Sequence, residues 1–235
     1  MNVKGYLEYT QAPLGKLFYK LALHNLDFEN KRILDFGSGL GITADALAKN
    51  NIVTAIEPNE EILAYRKQEN EYEQICGSLE KLSDIKGCSY DVIICHNVLE
   101  YVDDRKSVLN EFHRLLKPEG VLSIIKHNTC GKIMQKAVFE CDTKQAMSLL
   151  EGEKGISVNF GEINEYTLEE LAEYCENLFD IKNVFGIRTF YGLQNNEIKT
   201  KDGWIEEMYD LECTAESVQA LRDVAFFNHV IMKKI

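Results

Sequence analysis

The chain predicts an α/β fold: a doubly wound, mainly parallel seven-stranded sheet, with a helical cap from the N-terminus and an insertion after the fifth strand. Three observations carry it. Short apolar runs alternate with segments of helical spacing, as in a parallel sheet whose crossovers are helices. Asp91-Val92-Ile93-Ile94-Cys95 is a near-continuous apolar run, as expected of a central strand covered on both faces. Arg32-Ile33-Leu34-Asp35-Phe36-Gly37-Ser38-Gly39-Leu40-Gly41-Ile42-Thr43 reads as a buried strand, a glycine-rich bend and the start of a helix. Such a bend brings bare backbone N–H groups close to a ligand, in the place where these sheets hold nucleotide-like cofactors.

Taken in order, Tyr9–Phe28 carries Leu14, Leu17, Phe18, Leu21, Ala22 and Leu26 at helical spacing, with Pro13 near the start. Strands follow at Ile33–Phe36, Ile52–Glu57, Tyr72–Cys76, Asp91–Cys95 and Val121–Ile125. Between them lie helices at Thr43–Lys49, Glu60–Gln68 and Ser107–Leu116, and a turn at Pro118-Glu119-Gly120. After Lys126 the alternation breaks. Residues 127–165 hold two helical pieces, Lys132–Phe139 and Thr143–Leu150, then a glycine-containing loop. Thr167 with Glu170 is a capping box for a helix over Leu168–Leu178. A strand over Ile181–Ile187, a helix near Trp204–Leu211 and a strand over Ala225–Met232 complete the chain. We expect one domain over 1–235, its core at 30–126 and 166–235 and its cap at 1–29 and 127–165.

Composition narrows the function. The chain has 235 residues, 45% hydrophobic and 27% charged, as in a globular protein of one large domain. No apolar run approaches the roughly 20 residues of a membrane span, and the N-terminus lacks a signal-peptide core, so a cytoplasmic protein without a membrane partner is expected. The 7 cysteines are scattered without a Cys-x-x-Cys pair, which predicts no metal site. A net charge of −12 argues against a general DNA binder. Lys126, Lys132, Lys136 and Lys144 suggest a basic patch on the insertion, able to meet RNA phosphates.

Asp35-Phe36-Gly37-Ser38-Gly39-Leu40-Gly41 resembles the first motif of the class I S-adenosylmethionine-dependent methyltransferases, whose fold is Rossmann-like. The dinucleotide rival places its last glycine where this chain has Ile42. Glu57 ends the second strand about 20 residues past the first glycine, where a carboxylate accepts hydrogen bonds from ribose hydroxyls. Cys76-Gly77-Ser78-Leu79-Glu80 resembles the adenine-facing turn, Tyr90 to Val102 the fourth motif, and Leu115 to Leu122 the turn and strand after it. The resemblance implies S-adenosylmethionine as cofactor, held by Asp35, Gly37, Ser38, Gly39, Glu57, Pro58, Ser78, Leu79, Glu80, His96 and Lys16. His96 reads as a wall of the active site, as a proton acceptor, or as a ring that only packs on the cofactor.

Gly15-Lys16-Leu17, Lys126-His127-Asn128, Phe185 to Tyr191 and Phe227-Asn228-His229-Val230 are similar to the tRNA wobble carboxymethoxyuridine methyltransferases, which esterify a carboxylate. Matched positions are Gly15, Leu17, Asn128, Gly186, Arg188, Phe190 and His229. The resemblance implies tRNA as partner, Asn128, Arg188, Tyr191 and His229 as acceptor-binding residues, and Arg188 and His96 as catalytic ones. A carboxylate nucleophile is already ionised and needs a cation rather than a base; Arg188 supplies it. The family's arginine after Gly-x-Leu is Phe18 here, so its grip on the cofactor carboxylate falls to Lys16 or a helix N-terminus. Two other readings stand beside this one: a small-molecule O- or N-methyltransferase with the insertion as lid, using a histidine base, and a non-catalytic cofactor-binding partner subunit. A monomer or homodimer is expected.

Overall fold

The computed structural model describes residues 2–153, 156–157 and 161–235, with backbone alone at 156–157 and 161–162. Seven strands form one sheet in the order β3-β2-β1-β4-β5-β9-β8: β1 Arg32–Phe36, β2 Ile52–Glu57, β3 Glu73–Cys76, β4 Tyr90–His96, β5 Leu116–His127, β8 Phe179–Ile187 and β9 Phe227–Lys234. The contacts of β1 with β2 and β4, of β2 with β3 and of β4 with β5 are all parallel. The doubly wound reading is borne out. Ile33, Leu34, Ile93 and Ile94 have no exposed surface, which explains why β1 and β4 lack a polar face. Ile156–Ser157 (β6) and Gly161–Glu162 (β7) make a separate antiparallel pair. The glycine-containing loop expected there lies partly outside the described residues.

The helices are α1 Val3–Gln11, α2 Pro13–His24, α3 Ile42–Ala48, α4 Glu60–Leu63, α5 Arg105–Leu115, α6 Thr129–Met134, α7 Thr143–Leu150, α8 Leu168–Tyr174, α9 Trp204–Ala215 and α10 Gln219–Arg222. Four elements depart from expectation for physical reasons. The N-terminal helix begins at Pro13, as expected, but a separate helix, α1, precedes it; Ala12 between them is extended at ψ 154° because the Pro13 ring disfavours the helical conformation in the residue before it. The helix expected over Glu60–Gln68 is one turn, because tertiary bonds take the chain beyond it: Lys67 N–H donates to Leu40 O at 2.7 Å, and Glu69 and Asn70 N–H to Asp45 Oδ1 at 2.6 and 2.7 Å. The turn at 118–120 is absorbed into β5 as an irregularity with Glu119 at φ 62°, and the register to β4 shifts there. The helix expected over Lys132–Phe139 starts at Thr129 and widens into a π-turn at Gln135–Phe139.

The chain divides into two compact units. One comprises Asp27–Ile125, Tyr166–Asn183 and Val230–Ile235; the other comprises Met1–Leu26, Lys126–Glu165 and Val184–His229. Residues 184–229, assigned from sequence to the core, thus pack with the N-terminal helices and the insertion. Within that unit Phe18 lies 5.1 Å from Phe227 between ring centroids, and Asn25 Nδ2 donates to Glu216 Oε2 at 2.9 Å. Among the described residues no helix is long and apolar enough to cross a membrane.

Candidate functional site

The strand order reverses between β1 and β4, and the glycine bend leaves β1 at that point. Gly37, Gly39 and Gly41 all take positive φ, at 77°, 53° and 71°, a region that side chains strain. Space excludes side chains as well: a Cβ on Gly37 would lie 2.3 Å from Val98 Cγ2, and one on Gly41 2.2 Å from the Tyr72 hydroxyl. The bend is tied to β2 by Gly37 and Ser38 N–H donating to Ile56 O at 2.8 and 3.0 Å.

Glu57 closes this arrangement. Its Oε2 accepts from Gly39 N–H and its Oε1 from Asn59 N–H, each at 2.9 Å. Burial raises its pKa, and the two backbone donors offset part of that rise. Two of the four lone-pair directions of the carboxylate are thereby used, and the rest are free for hydroxyl donors. Asp35, 3% exposed at the end of β1, has its pKa pushed up to about 7, first by burial and then by the charge of Glu57. Asp35 Oδ2 and Ser38 Oγ are buried without a hydrogen-bond partner among the described residues. Buried polar atoms are rarely left so, and two beside a glycine cradle indicate a polar ligand.

The other positions named from sequence fall as follows. Pro58 is exposed, and Ser78 and Leu79 are half-buried. Glu80 folds back to accept from Ser78 N–H at 2.9 Å, which lowers its pKa. His96, at the end of β4, bonds Ser123 Oγ through Nε2 at 2.9 Å, which fixes its ring. Sequence did not single out Asp45, which is 1% exposed and gathers the 67–70 loop behind the cradle, or buried Arg105, whose Nε donates to Leu99 O at 3.0 Å and braces the turn after β4. A buried acid inside an amphipathic helix carries no local signature.

The second unit holds the residues expected to meet the acceptor. Arg188 stands at φ 67°, strained for an arginine. Its Nη2 donates to Gln135 Oε1 at 2.9 Å, its guanidinium carbon lies 4.3 Å from the Phe226 ring centre, and its Nε is buried without a partner. The turn that carries it is held by Glu212, whose carboxylate accepts from Thr189, Phe190 and Tyr191 N–H at 2.9, 2.8 and 3.2 Å. Tyr191 is wholly buried.

Three expectations are corrected here. Asn128 spends its amide on the Asp223 and Ala225 carbonyls, at 3.0 and 2.8 Å, and so clasps the chain before β9. His229 has no exposed surface, and burial lowers its pKa to about 3, so it is a neutral core residue. The basic patch does not form on the surface: Lys126 and Lys132 are 2% and 7% exposed, Lys132 pairs with Glu165 at 2.5 Å, and Lys136 pairs with Glu140 at 2.6 Å. Burial and helix-local pairing decide this, and lysine spacing shows neither. Lys16 is exposed on α2, and Phe18, at 5% exposure, packs as a core residue.

Residues 34–124 match the family model described as a methyltransferase domain. A ubiquinone biosynthesis O-methyltransferase of Histophilus somni is 37% identical over 102 residues, which are 39% of this chain and 43% of that protein. One of Pseudomonas aeruginosa is 35% identical over 108 residues, 42% of this chain and 46% of that protein. The chain thus matches less than half the length of these relatives. Among solved structures, an S-adenosylmethionine-dependent methyltransferase of Thermotoga maritima superposes with a TM-score of 0.65 at 18% identity, covering 99% of this chain and 96% of that one. Another from Mesorhizobium loti gives 0.58 at 14% identity, covering 96% and 99%. The cradle fits that cofactor: positive-φ glycines, a carboxylate with lone pairs to spare, and the orphaned Asp35 and Ser38 oxygens suit a ribose and a cationic amino-acid group. Over residues 34–124 the chain is thus similar to methyltransferase domains, and its fold is the one that S-adenosylmethionine-dependent methyltransferases share.

Proposed function

We propose that this chain methylates an acceptor through its carboxylate, with the wobble carboxymethoxyuridine of tRNA as the specific acceptor, and that Arg188 grips that carboxylate. The observation carrying this reading is the Arg188 guanidinium, aromatic-walled and strained in backbone. Its only hydrogen-bond partner among the described residues is the neutral Gln135. A guanidinium presents a planar fork of donors that matches a carboxylate.

Bound S-adenosylmethionine supplies a methyl group on a sulfonium, with a thioether as leaving group. The protein contributes binding and alignment, worth several kcal/mol. Glu57 is placed to hold the ribose hydroxyls, Asp35 to offer an acceptor to the cationic end, and the glycine bend to admit the ligand close to the backbone. A carboxylate acceptor is ionised at neutral pH, so no residue need remove a proton.

A hydroxyl acceptor is the second reading, favoured by the O-methyltransferase names of the relatives. It requires a base, and His96, oriented by Ser123, is the residue for it. Labelled cofactor offered with tRNA bearing unesterified carboxymethoxyuridine, beside small carboxylic acids and phenols, separates the two. Base-labile label in tRNA, reduced at least tenfold in Arg188→Ala, is expected. Label in phenols alone, lost in His96→Ala, would replace the carboxylate reading with the hydroxyl one.

A further inference from the structure

Lys199 begins from an unusual position for a lysine. It is 6% exposed, its Nζ donates to the neutral Asn196 Oδ1 at 3.1 Å, and it lies 4.8 Å from the Phe139 ring centre. A buried ammonium is costly unless an anion compensates it. Among the described residues no carboxylate pairs with it, nor with the guanidinium of Arg188. Glu212, the acid that holds the turn carrying Arg188, is engaged by the backbone N–H groups of residues 189–191.

The two cations share one support. Arg188 bonds Gln135 and Lys199 stands over Phe139, the two ends of the same π-turn. Burial first, and then the charge of Arg188, brings Lys199 down to about 8. Tyr191 adds a third donor. Its hydroxyl is wholly buried with no partner among the described residues, and its ring centre lies 5.9 Å from the Arg188 guanidinium carbon. Two cations without an acidic partner, an orphaned hydroxyl and the unpartnered Arg188 Nε are an anion's worth of donors, with no anion supplied by the described residues.

We propose that Arg188 and Lys199 together form an oxyanion-binding site, with the Tyr191 hydroxyl as a further donor, that takes a carboxylate or phosphate group of the acceptor. It deepens the carboxylate reading above by adding Lys199 as the second cation. A charge-assisted hydrogen bond of this kind is worth about 1.5–3 kcal/mol, roughly a tenfold to hundredfold change in affinity.

The test is calorimetric binding of malonate and of inorganic phosphate to the full chain, without turnover, in wild type, Lys199→Gln, Lys199→Arg and Arg188→Lys, with thermal unfolding as the check on folding. Loss of at least about tenfold in Lys199→Gln, with recovery in Lys199→Arg, is expected. Malonate preferred over phosphate identifies the carboxylate as the group taken; the reverse preference identifies a phosphate. Affinities unchanged by Lys199→Gln, or no binding of either anion, overturn the proposal. Should Lys199→Gln fail to fold, Arg188→Lys decides by the same tenfold criterion. Anion binding through both residues in a chain that methylates no carboxylate would retain this site and remove the carboxylate reading. Carboxylate methylation indifferent to Lys199 would do the opposite.

Discussion

Replacing Asp35 by asparagine should stabilise the free protein at pH 8 and leave it nearly unchanged at pH 4. Asp35 is 3% exposed, beside the buried Glu57, and its pKa rises from 3.8 to about 7. In the unfolded chain it loses its proton near 3.8, whereas the folded chain keeps it until about 7. Folded protein therefore binds more protons across that window, and the contribution of Asp35 is fully present below pH 3.8 and lost as pH rises through about 7. Three pH units at about 1.4 kcal/mol each give a penalty of about 4 kcal/mol, an upper bound because local opening can rehydrate the group. Asparagine is nearly isosteric and does not ionise, and removing the charge also relieves Glu57. Urea unfolding of both proteins between pH 4 and pH 8 measures the difference. A gap that widens by more than about 1 kcal/mol towards high pH is expected. Parallel stability curves would refute the reasoning. The linkage extends to the ligand: S-adenosylmethionine carries net positive charge, so it favours ionised Asp35, and its affinity should rise through pH 7 in wild type but not in Asp35→Asn.

Gly41→Ala should cost about 1–3 kcal/mol, because φ of 71° strains alanine and its Cβ would meet the Tyr72 hydroxyl at 2.2 Å; denaturant unfolding measures it. An undiminished midpoint would mean that the bend rearranges freely. Glu212→Gln turns an amide N–H₂ towards backbone donors at 189–191 and loosens the turn that carries Arg188. We expect a higher KM for the acceptor and an unchanged Kd for the cofactor. Equal losses in both would make Glu212 a general stability residue instead.

Much of the cofactor half was legible because its signals are local. Glycines at 37, 39 and 41, an acid at the end of β2 and apolar runs at β1 and β4 each follow from chain conformation over a few residues. Their spacing sufficed to locate the cradle, and the structure adds how it is tied: Glu57 to Gly39 and Asn59. The acceptor half read less well. Asn128 and His229 match a family pattern, yet one clasps Asp223 and Ala225, 95 and 97 positions away, and the other is sealed in the core. A motif reports that a residue is needed; it does not separate a need for packing from a need for contact.

By itself the sequence determined the alternation of strands and helices, the strand-to-helix glycine bend and hence the cofactor class, since dihedral preferences and hydrophobic period act within a few residues. Only the tertiary structure decided which charges are spent. Lys132 pairs with Glu165, and the Glu212 carboxylate is taken up by backbone N–H groups. Arg188 and Lys199, eleven residues apart in sequence, share one π-turn with no acid for either among the described residues. Pairing and desolvation depend on what the fold brings within a few ångströms of each charge.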